Sequence, residues 1–197
     1  VIADIRSDSG ESTTAAKKLA TEDKVNAAVG AVASSLSKAA APTFQQNGIP
    51  MVTPSSTNPT VTEIGDHIFR VCFIDDFQGA ACAEFAFKDM GSKVSAVVLE
   101  KGSAYSQGLG KFFRARFEKL GGKVAIEQEY PSGEKDFSTI VSNIVKAEPK
   151  VDNVFMPFYY EDAAAMAKEL RKQGFTGKMI GGDGWESPTL VPLSDGK

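Results

Sequence analysis

Strand-like and helix-like segments alternate along the chain, and this alternation restricts the fold more than any other feature. Short apolar runs are typical of strands and longer amphipathic runs are typical of helices. The predicted strands cover residues 1–6, 25–29, 50–53, 68–73, 93–99, 123–130, 151–155 and 178–180. The predicted helices cover residues 12–22, 35–47, 78–90, 106–120, 136–147 and 161–173. Because strands separated by helices favour parallel βαβ units, we predict an α/β fold with doubly wound parallel sheets.

The pattern also predicts two lobes. Residues 96–99 and 154–156 are apolar at every position, as expected for a sheet covered on both faces. The turn-rich stretch 57–77 interrupts the alternation, and we place a boundary near Ile74. We therefore expect a first lobe at 1–74 and a second at 75–197. In such folds, ligands lie at the carboxyl ends of strands, here in a cleft between the lobes.

The composition is that of an ordinary soluble globular protein. The 197 residues are 42% apolar and 24% charged. A net charge of -3 and the lack of a basic stripe argue against nucleic acid as the main partner. No apolar run approaches the roughly 20 residues that a membrane span requires. Because the chain opens inside a strand-like run, we expect any targeting segment to have been lost from it.

Metal and cofactor chemistry are not expected. The sequence has no C-x-x-C motif, and His67 is its sole histidine. Cys72 and Cys82 are the only cysteines, and two buried free thiols are the favoured interpretation, with a disulfide as the alternative.

Two hydroxyl-rich turns each follow a predicted strand. They comprise residues 30–35 and 53–59, and we call them the hydroxyl turns. Helix N-termini offer unpaired N–H donors and a positive dipole end, so these turns suit a small anion such as a carboxylate. They lack the glycine density and the lysine of a nucleotide cradle. The alternative is that Ser34 and Thr57 are only N-caps.

The second half of the chain places an acidic residue and aromatic rings at strand ends. Asp183 lies in a glycine-rich turn after 178–180, and Tyr105 and Tyr159 follow two other strands. Glycine would leave room for a ligand to approach the carboxylate. Together with the hydroxyl turns, these residues suit a zwitterion with an apolar body. The alternatives are that Asp183 forms the turn and that the tyrosines only pack.

With these residues in view, the chain resembles type I periplasmic binding proteins of the branched-chain amino-acid class. These proteins capture ligands for ABC importers. The resemblance spans essentially the whole chain and is carried by residues 30–35, 48–59, 69–70, 105–108 and 181–185. It implies two Rossmann-like lobes, capture of a small amino acid by lobe closure, and no catalysis. It also implies a membrane permease as partner and a periplasmic or extracellular location, with lipid anchoring at the cell surface as a variant.

The resemblance assigns roles to site residues. Ser34 and Thr57 would bind the ligand α-carboxylate, and Asp183 would pair with its ammonium group. Ser55 or Ser56 would lend a backbone carbonyl to the ammonium group. Many amino-acid binders of the class carry glutamate at the Asp183 position, so the shorter side chain would move the ammonium group. The ligand-binding residues carried over are Ser34, Ser35, Ser55, Ser56, Thr57, Tyr105, Tyr159 and Asp183.

The resemblance also predicts an incomplete first lobe. Members of the class have a strand and helix before the position of Val1, and they continue beyond Lys197. That strand would lie between the strands beginning at Val1 and Val25, so its absence would leave two strand edges open. We expect either a longer natural protein or an oligomer that exchanges strands between copies.

Other functions stay open at this point. A sensor or receptor domain would share the fold, and wider relatives bind amides, urea or aromatic acids. An α/β-hydrolase is a distant alternative, because Ser106 lies in a near match to the nucleophile elbow, but no histidine follows it. No G-x-G-x-x-G opens a helix, which disfavours a dehydrogenase.

Overall fold

The computed structural model describes residues 1–196. It divides the chain into two compact units, Val1–Asp75 and a second that begins at Asp76. Each unit is built on a parallel β-sheet with helices packed against it. The predicted α/β class is confirmed in both units. Among residues 1–196, no helix is both long enough and apolar enough to cross a membrane.

The first unit contains a three-stranded sheet in the order β1-β2-β3. Its apolar core lies between this sheet and its helices, around Ala41, Phe44 and Met51. The strands are β1 (Ala28–Val29), β2 (Met51–Thr53) and β3 (Ile68–Arg70), the helices are α1 (Ser9–Thr21) and α2 (Ser34–Gln46), and a 3₁₀ helix spans Pro59–Ile64.

The predicted strand at 1–6 is wrong. This segment is irregular and ends in a turn at Arg6 and Ser7, both with positive φ. Its apolar side chains Val1 and Ile2 are 85% and 99% exposed. A strand forms only when a neighbouring strand accepts its hydrogen bonds, and none of the described strands pairs with this segment. A largely apolar cavity of about 480 Å³ lies between the segment, α1 and β1, which is an edge strand.

The second unit contains a four-stranded parallel sheet in the order β5-β4-β6-β7. Its strands are β4 (Val94–Lys101), β5 (Lys123–Pro131), β6 (Asn153–Phe155) and β7 (Lys178–Ile180). Its helices are α3 (Asp75–Glu84), α4 (Ala104–Lys119), α5 (Ser138–Val145), α6 (Tyr160–Lys172) and α7 (Leu190–Leu193), with a π-helical turn at Phe85–Asp89 and a 3₁₀ helix at Asp183–Trp185.

Both faces of the second sheet are covered, as predicted. Along β4, Ala96 and Val98 join the core on one face, whereas Val97 and Leu99 join the core on the other. This alternation follows from the two-residue period of a strand. On the second face, the rings of Phe113 and Phe155 stack 4.0 Å apart. The sheet, packed on both faces, therefore supports the turns at its carboxyl edge.

Candidate functional site

The hydroxyl turns lie side by side at the carboxyl ends of β1 and β2. The N–H of Gly30 donates to the carbonyl of Val52 at 2.8 Å, which continues the parallel pairing into the first turn. The carbonyl of Ala31 then lies within hydrogen-bond distance of three hydroxyls, those of Thr53 at 2.8 Å and of Ser37 and Ser56 at 3.0 Å each. Hydroxyl side chains therefore hold the first turn in place.

Ser34 and Thr57 are not helix caps. Helix α2 begins at Ser34, and its N-cap is Ala33, which supplies no side-chain hydrogen bond. The following 3₁₀ helix is capped by Asn58, whose Oδ1 accepts from the N–H of Thr60 at 3.0 Å. The alternative that Ser34 and Thr57 serve only as N-caps is therefore wrong. Because the first turn of α2 carries no acidic side chain, the positive end of its dipole is not neutralised there.

Thr57 carries a polar group without a partner. The residue is 1% exposed, and its Oγ1 has no hydrogen-bond partner among the described residues. A buried hydroxyl without a partner lowers the free energy of unfolding by about 1–3 kcal/mol. In a native protein such a group is explained by a functional role or by a bound water. A ligand acceptor atom would satisfy this hydroxyl.

The three other predicted residues of the first unit differ in how they are used. Ser35 is half-buried in the first turn of α2. Ser55 is also half-buried, and its hydroxyl donates to the carbonyl of Val32 at 3.3 Å. Ser56 is fully buried, and its Oγ lies 2.8 Å from the Oγ of Ser37. The single hydroxyl proton of Ser56 is thus used inside the protein, which makes the residue a support for the turns.

Arg70 organises the second hydroxyl turn, a role that is not predicted from the sequence. Its guanidinium donates to the carbonyls of Ser56 at 3.1 Å, Asn58 at 2.8 Å and Pro59 at 3.0 Å, and to the hydroxyl of Thr62 at 2.6 Å. It is the only lysine or arginine in residues 39–87, which is the signal that could have revealed it. Its positive charge also favours an anion at this turn.

Asp183 is held by neutral donors in the second unit. Its Oδ1 accepts from the Nε2 of Gln78 at 3.0 Å and from the Oη of Tyr105 at 2.9 Å. Its own N–H donates to the Oε1 of Gln78 at 2.6 Å. Among the described residues, none forms an ion pair with Asp183 or donates to its Oδ2. We call Gln78, Tyr105, Tyr159 and Asp183 the Asp183 cluster.

The two tyrosines of the cluster lie against each other. Their ring centroids are 5.5 Å apart with an interplanar angle of 22°. Tyr105 is buried and Tyr159 is half-buried. The expectation that glycine leaves room for a ligand is wrong at Gly182. A Cβ there would lie 2.6 Å from the Oη of Tyr105 and 2.7 Å from the Oε1 of Gln78, so the space is taken by the cluster itself.

Neighbouring side chains keep the cluster in place. The Nε1 of Trp185 donates to the carbonyl of Met156 at 3.0 Å, and its ring packs over Gly181. The Sγ of Cys82 lies 3.6 Å from the carbonyl of Gly181. Burial, and then the charge of Asp183, raise the pKa of the Cys82 thiol to about 11, so it is protonated at neutral pH. Among the described residues there is no disulfide, and both cysteines are partly exposed.

The serine in the near match to a nucleophile elbow supports the fold and is not placed as a nucleophile. Ser106 is fully buried, and its Oγ accepts from the N–H of Glu100 at 2.8 Å. A nucleophile needs an exposed hydroxyl beside a base. His67, in the other unit, instead contacts Asp66 at 2.9 Å. Within residues 1–196, no group of three His, Cys, Asp or Glu side chains is placed to hold a metal ion.

Comparison with known proteins connects this arrangement to one family. A family profile for periplasmic binding proteins matches residues 1–193. An amino acid binding protein of Pseudomonas aeruginosa is 34% identical over 92% of the chain and 48% of its own length. The leucine binding protein LivK of Thermotoga maritima is 40% identical with a TM-score of 0.94, over 98% of this chain and 55% of its own. The substrate binding protein LivJ of Streptococcus pneumoniae, solved with isoleucine, is 26% identical with a TM-score of 0.89, over 98% of this chain and 54% of its own.

The chain thus spans about half the length of the relatives that it matches. The resemblance drawn from the sequence, to branched-chain amino-acid binding proteins of the type I fold, is confirmed. The family is one of substrate-binding proteins. The chain belongs to the periplasmic binding protein family.

Proposed function

We propose that this chain is the ligand-capturing part of a solute-binding protein of an ABC importer, and that it binds a small branched-chain or aliphatic amino acid without catalysis. One observation carries the proposal. Asp183 is a carboxylate held by neutral donors, with no ion-pair partner among the described residues. Such a carboxylate, placed beside two tyrosine rings, suits an ammonium group.

The carboxylate end of the ligand is assigned to the hydroxyl turns. Thr57 supplies a buried hydroxyl without a partner among the described residues, and Ser34 and Ser35 begin α2, whose first turn carries no acidic side chain. The charge of Arg70 adds to the attraction for an anion. Ser55 is the better source of a carbonyl for the ammonium group, because the carbonyl of Ser56 already accepts from Arg70.

The other end of the ligand is assigned to the Asp183 cluster. Asp183 would accept from the ammonium group, and Tyr105 and Tyr159 would contact the apolar body.

Trapping of the ligand by closure of the two lobes stays a prediction from the sequence, as does an oligomer that exchanges strands between copies. Relatives named for leucine binding and for a complex with isoleucine support an aliphatic ligand. By the same likeness, we propose a membrane permease as partner and a periplasmic or extracellular location.

Chemistry disfavours the other ligand classes. An aromatic acid or a neutral amide would leave the charge of Asp183 without a cation, and a partly buried charge without a partner is costly. No feature of the described residues favours a sensor domain over a transport protein.

Isothermal titration tests the proposal. The full natural protein should release heat with leucine, isoleucine or valine, and much less with isobutyramide or benzoate. The variant Asp183→Asn should bind the amino acid more weakly by about 2–5 kcal/mol, since it removes the partner of the ammonium charge. If no aliphatic amino acid is bound, or if the preferred ligand has no amine, the proposal is wrong.

A further inference from the structure

Gln78 holds Asp183 at two points, although the residues lie 105 positions apart. Its Oε1 accepts from the N–H of Asp183 at 2.6 Å, and its Nε2 donates to Asp183 Oδ1 at 3.0 Å. Gln78 is itself buried. A single amide thus fixes both the backbone and the side chain of the residue assigned to the ligand ammonium group.

The directions of these hydrogen bonds follow from the donors. A backbone N–H can only donate, so the atom of Gln78 that faces Asp183 N is its oxygen, and the amide nitrogen must then face Oδ1. In the same way, the N–H of Gly184 donates to the Oη of Tyr105 at 3.1 Å. The hydroxyl proton of Tyr105 is therefore directed to Asp183 Oδ1, 2.9 Å away. Because Oδ1 receives both donors, Oδ2 is left for a further donor.

The two donors are carried by helices in close contact. Gln78 lies on α3 and Tyr105 on α4. At Gly79, a Cβ would lie 2.6 Å from Phe112 Cβ and 2.9 Å from the backbone nitrogen of Phe113, so the helices approach more closely than a side chain would allow. Gly182 has no side chain for the same reason, since Gln78 and Tyr105 occupy that space. The packing therefore fixes where both donors point.

We propose that Gln78 is a positioning residue that makes the Asp183 cluster selective for ligands carrying an amine. It fixes Oδ1 with neutral donors, so that Oδ2 keeps its direction and its capacity to accept a hydrogen bond from the ammonium group. The inference rests on the proposed function, because it names the residue that sets the discrimination at the same site.

The test compares leucine with 4-methylpentanoate, which has the same skeleton and carboxylate but no amine. The variant Gln78→Met keeps the length of the side chain and removes both hydrogen bonds. In the full natural protein, it should weaken leucine binding about 10- to 100-fold, as expected for loss of hydrogen bonds to a charged group. Binding of 4-methylpentanoate should change less than about threefold, because that ligand makes no use of Asp183 Oδ2.

A double-mutant cycle separates positioning from a general structural effect. In an Asp183→Asn background, Gln78→Met should have little further effect on leucine binding, since the two residues act as one unit. Gln173→Met is the matched control. Its amide also donates to a carboxylate, that of Glu169, but it lies at the far end of α6 from Tyr159. It should leave both affinities unchanged.

Each outcome decides the inference. Equal weakening of both ligands, or additive effects of Gln78→Met and Asp183→Asn, would overturn it. If Gln78→Met does not fold, Gln78→Asn replaces it, because the shorter amide cannot reach both atoms of Asp183. If the unmodified protein binds no amino acid, the proposed function fails as well. If it binds leucine and Gln78→Met binds it equally well, only the role of Gln78 fails.

Discussion

The Oγ of Ser34 accepts a hydrogen bond from the backbone N–H of Asn58 at 3.2 Å, so the first residue of α2 joins the two hydroxyl turns. Both partners are buried. This hydrogen bond fixes the start of α2 against the second hydroxyl turn, at the end of the sheet where we expect the ligand carboxylate. The contact makes Ser34 a structural link as well as a candidate ligand residue.

Ser34→Ala should lower both stability and affinity. The N–H of Asn58 would lose its acceptor in a buried place, which costs on the order of 1–3 kcal/mol. Chemical denaturation measures this loss, and titration with leucine measures the loss of affinity. Ser9→Ala is the control, because Ser9 also begins a helix but is exposed. Equal stability of the two variants would contradict the role of the Ser34 hydroxyl.

Arg70→Met should lower the free energy of unfolding more than the same substitution at a surface arginine. The change removes four hydrogen bonds from the turn 56–62, so we expect a loss of about 2–4 kcal/mol in the free energy of unfolding. Arg114→Met is the control, since Arg114 forms a partly exposed ion pair with Glu127, and such a pair contributes about 1 kcal/mol or less. A similar, small loss for both variants would show that Arg70 does not organise the turn.

The sequence predicts the local secondary structure of this chain better than its long-range contacts. The alternation of apolar runs located every described β-strand from β1 to β7, because strand and helix periods are properties of short segments. The segment 1–6 has a strand pattern, yet it has no partner strand, and pairing is not encoded within the segment itself. The role of Gln78 depends on Asp183, 105 positions further along the chain, so no local pattern reveals it. The isolated positive charge of Arg70 is visible in the sequence, but its four contacts to the turn 56–62 require the fold. The sequence indicates Thr57 because hydroxyl residues at strand ends are visible in it, but only the fold shows that the Thr57 hydroxyl has no partner among the described residues.

Cys82 should react slowly, and Asp183 should contribute to this. Burial and the Asp183 charge raise the pKa of its thiol from 9.0 to about 11, so the thiolate fraction at pH 8 falls about 100-fold. In a Cys72→Ser background, alkylation by iodoacetamide should be slower than in the urea-unfolded chain by at least that factor. Adding Asp183→Asn should speed the reaction, because it removes the negative charge that disfavours the thiolate. Reaction of folded Cys82 at the unfolded rate would contradict this account.

Thr57→Val should impair ligand binding without destabilising the protein. Valine has nearly the shape of threonine but lacks the hydroxyl, whose Oγ1 has no partner among the described residues. Removing an unsatisfied buried hydroxyl should leave the free energy of unfolding unchanged or raise it by up to about 1 kcal/mol. Leucine affinity should fall about 10- to 100-fold, because a hydrogen bond to the ligand carboxylate is lost.

Thr57→Ser keeps the hydroxyl and serves as the control: it should retain binding, although the lost methyl group lowers stability. Denaturation and titration on the same samples measure both effects. A loss of affinity without a loss of stability in Thr57→Val would identify the hydroxyl as one that serves the ligand. A loss of stability in Thr57→Val would mean instead that the hydroxyl supports the fold.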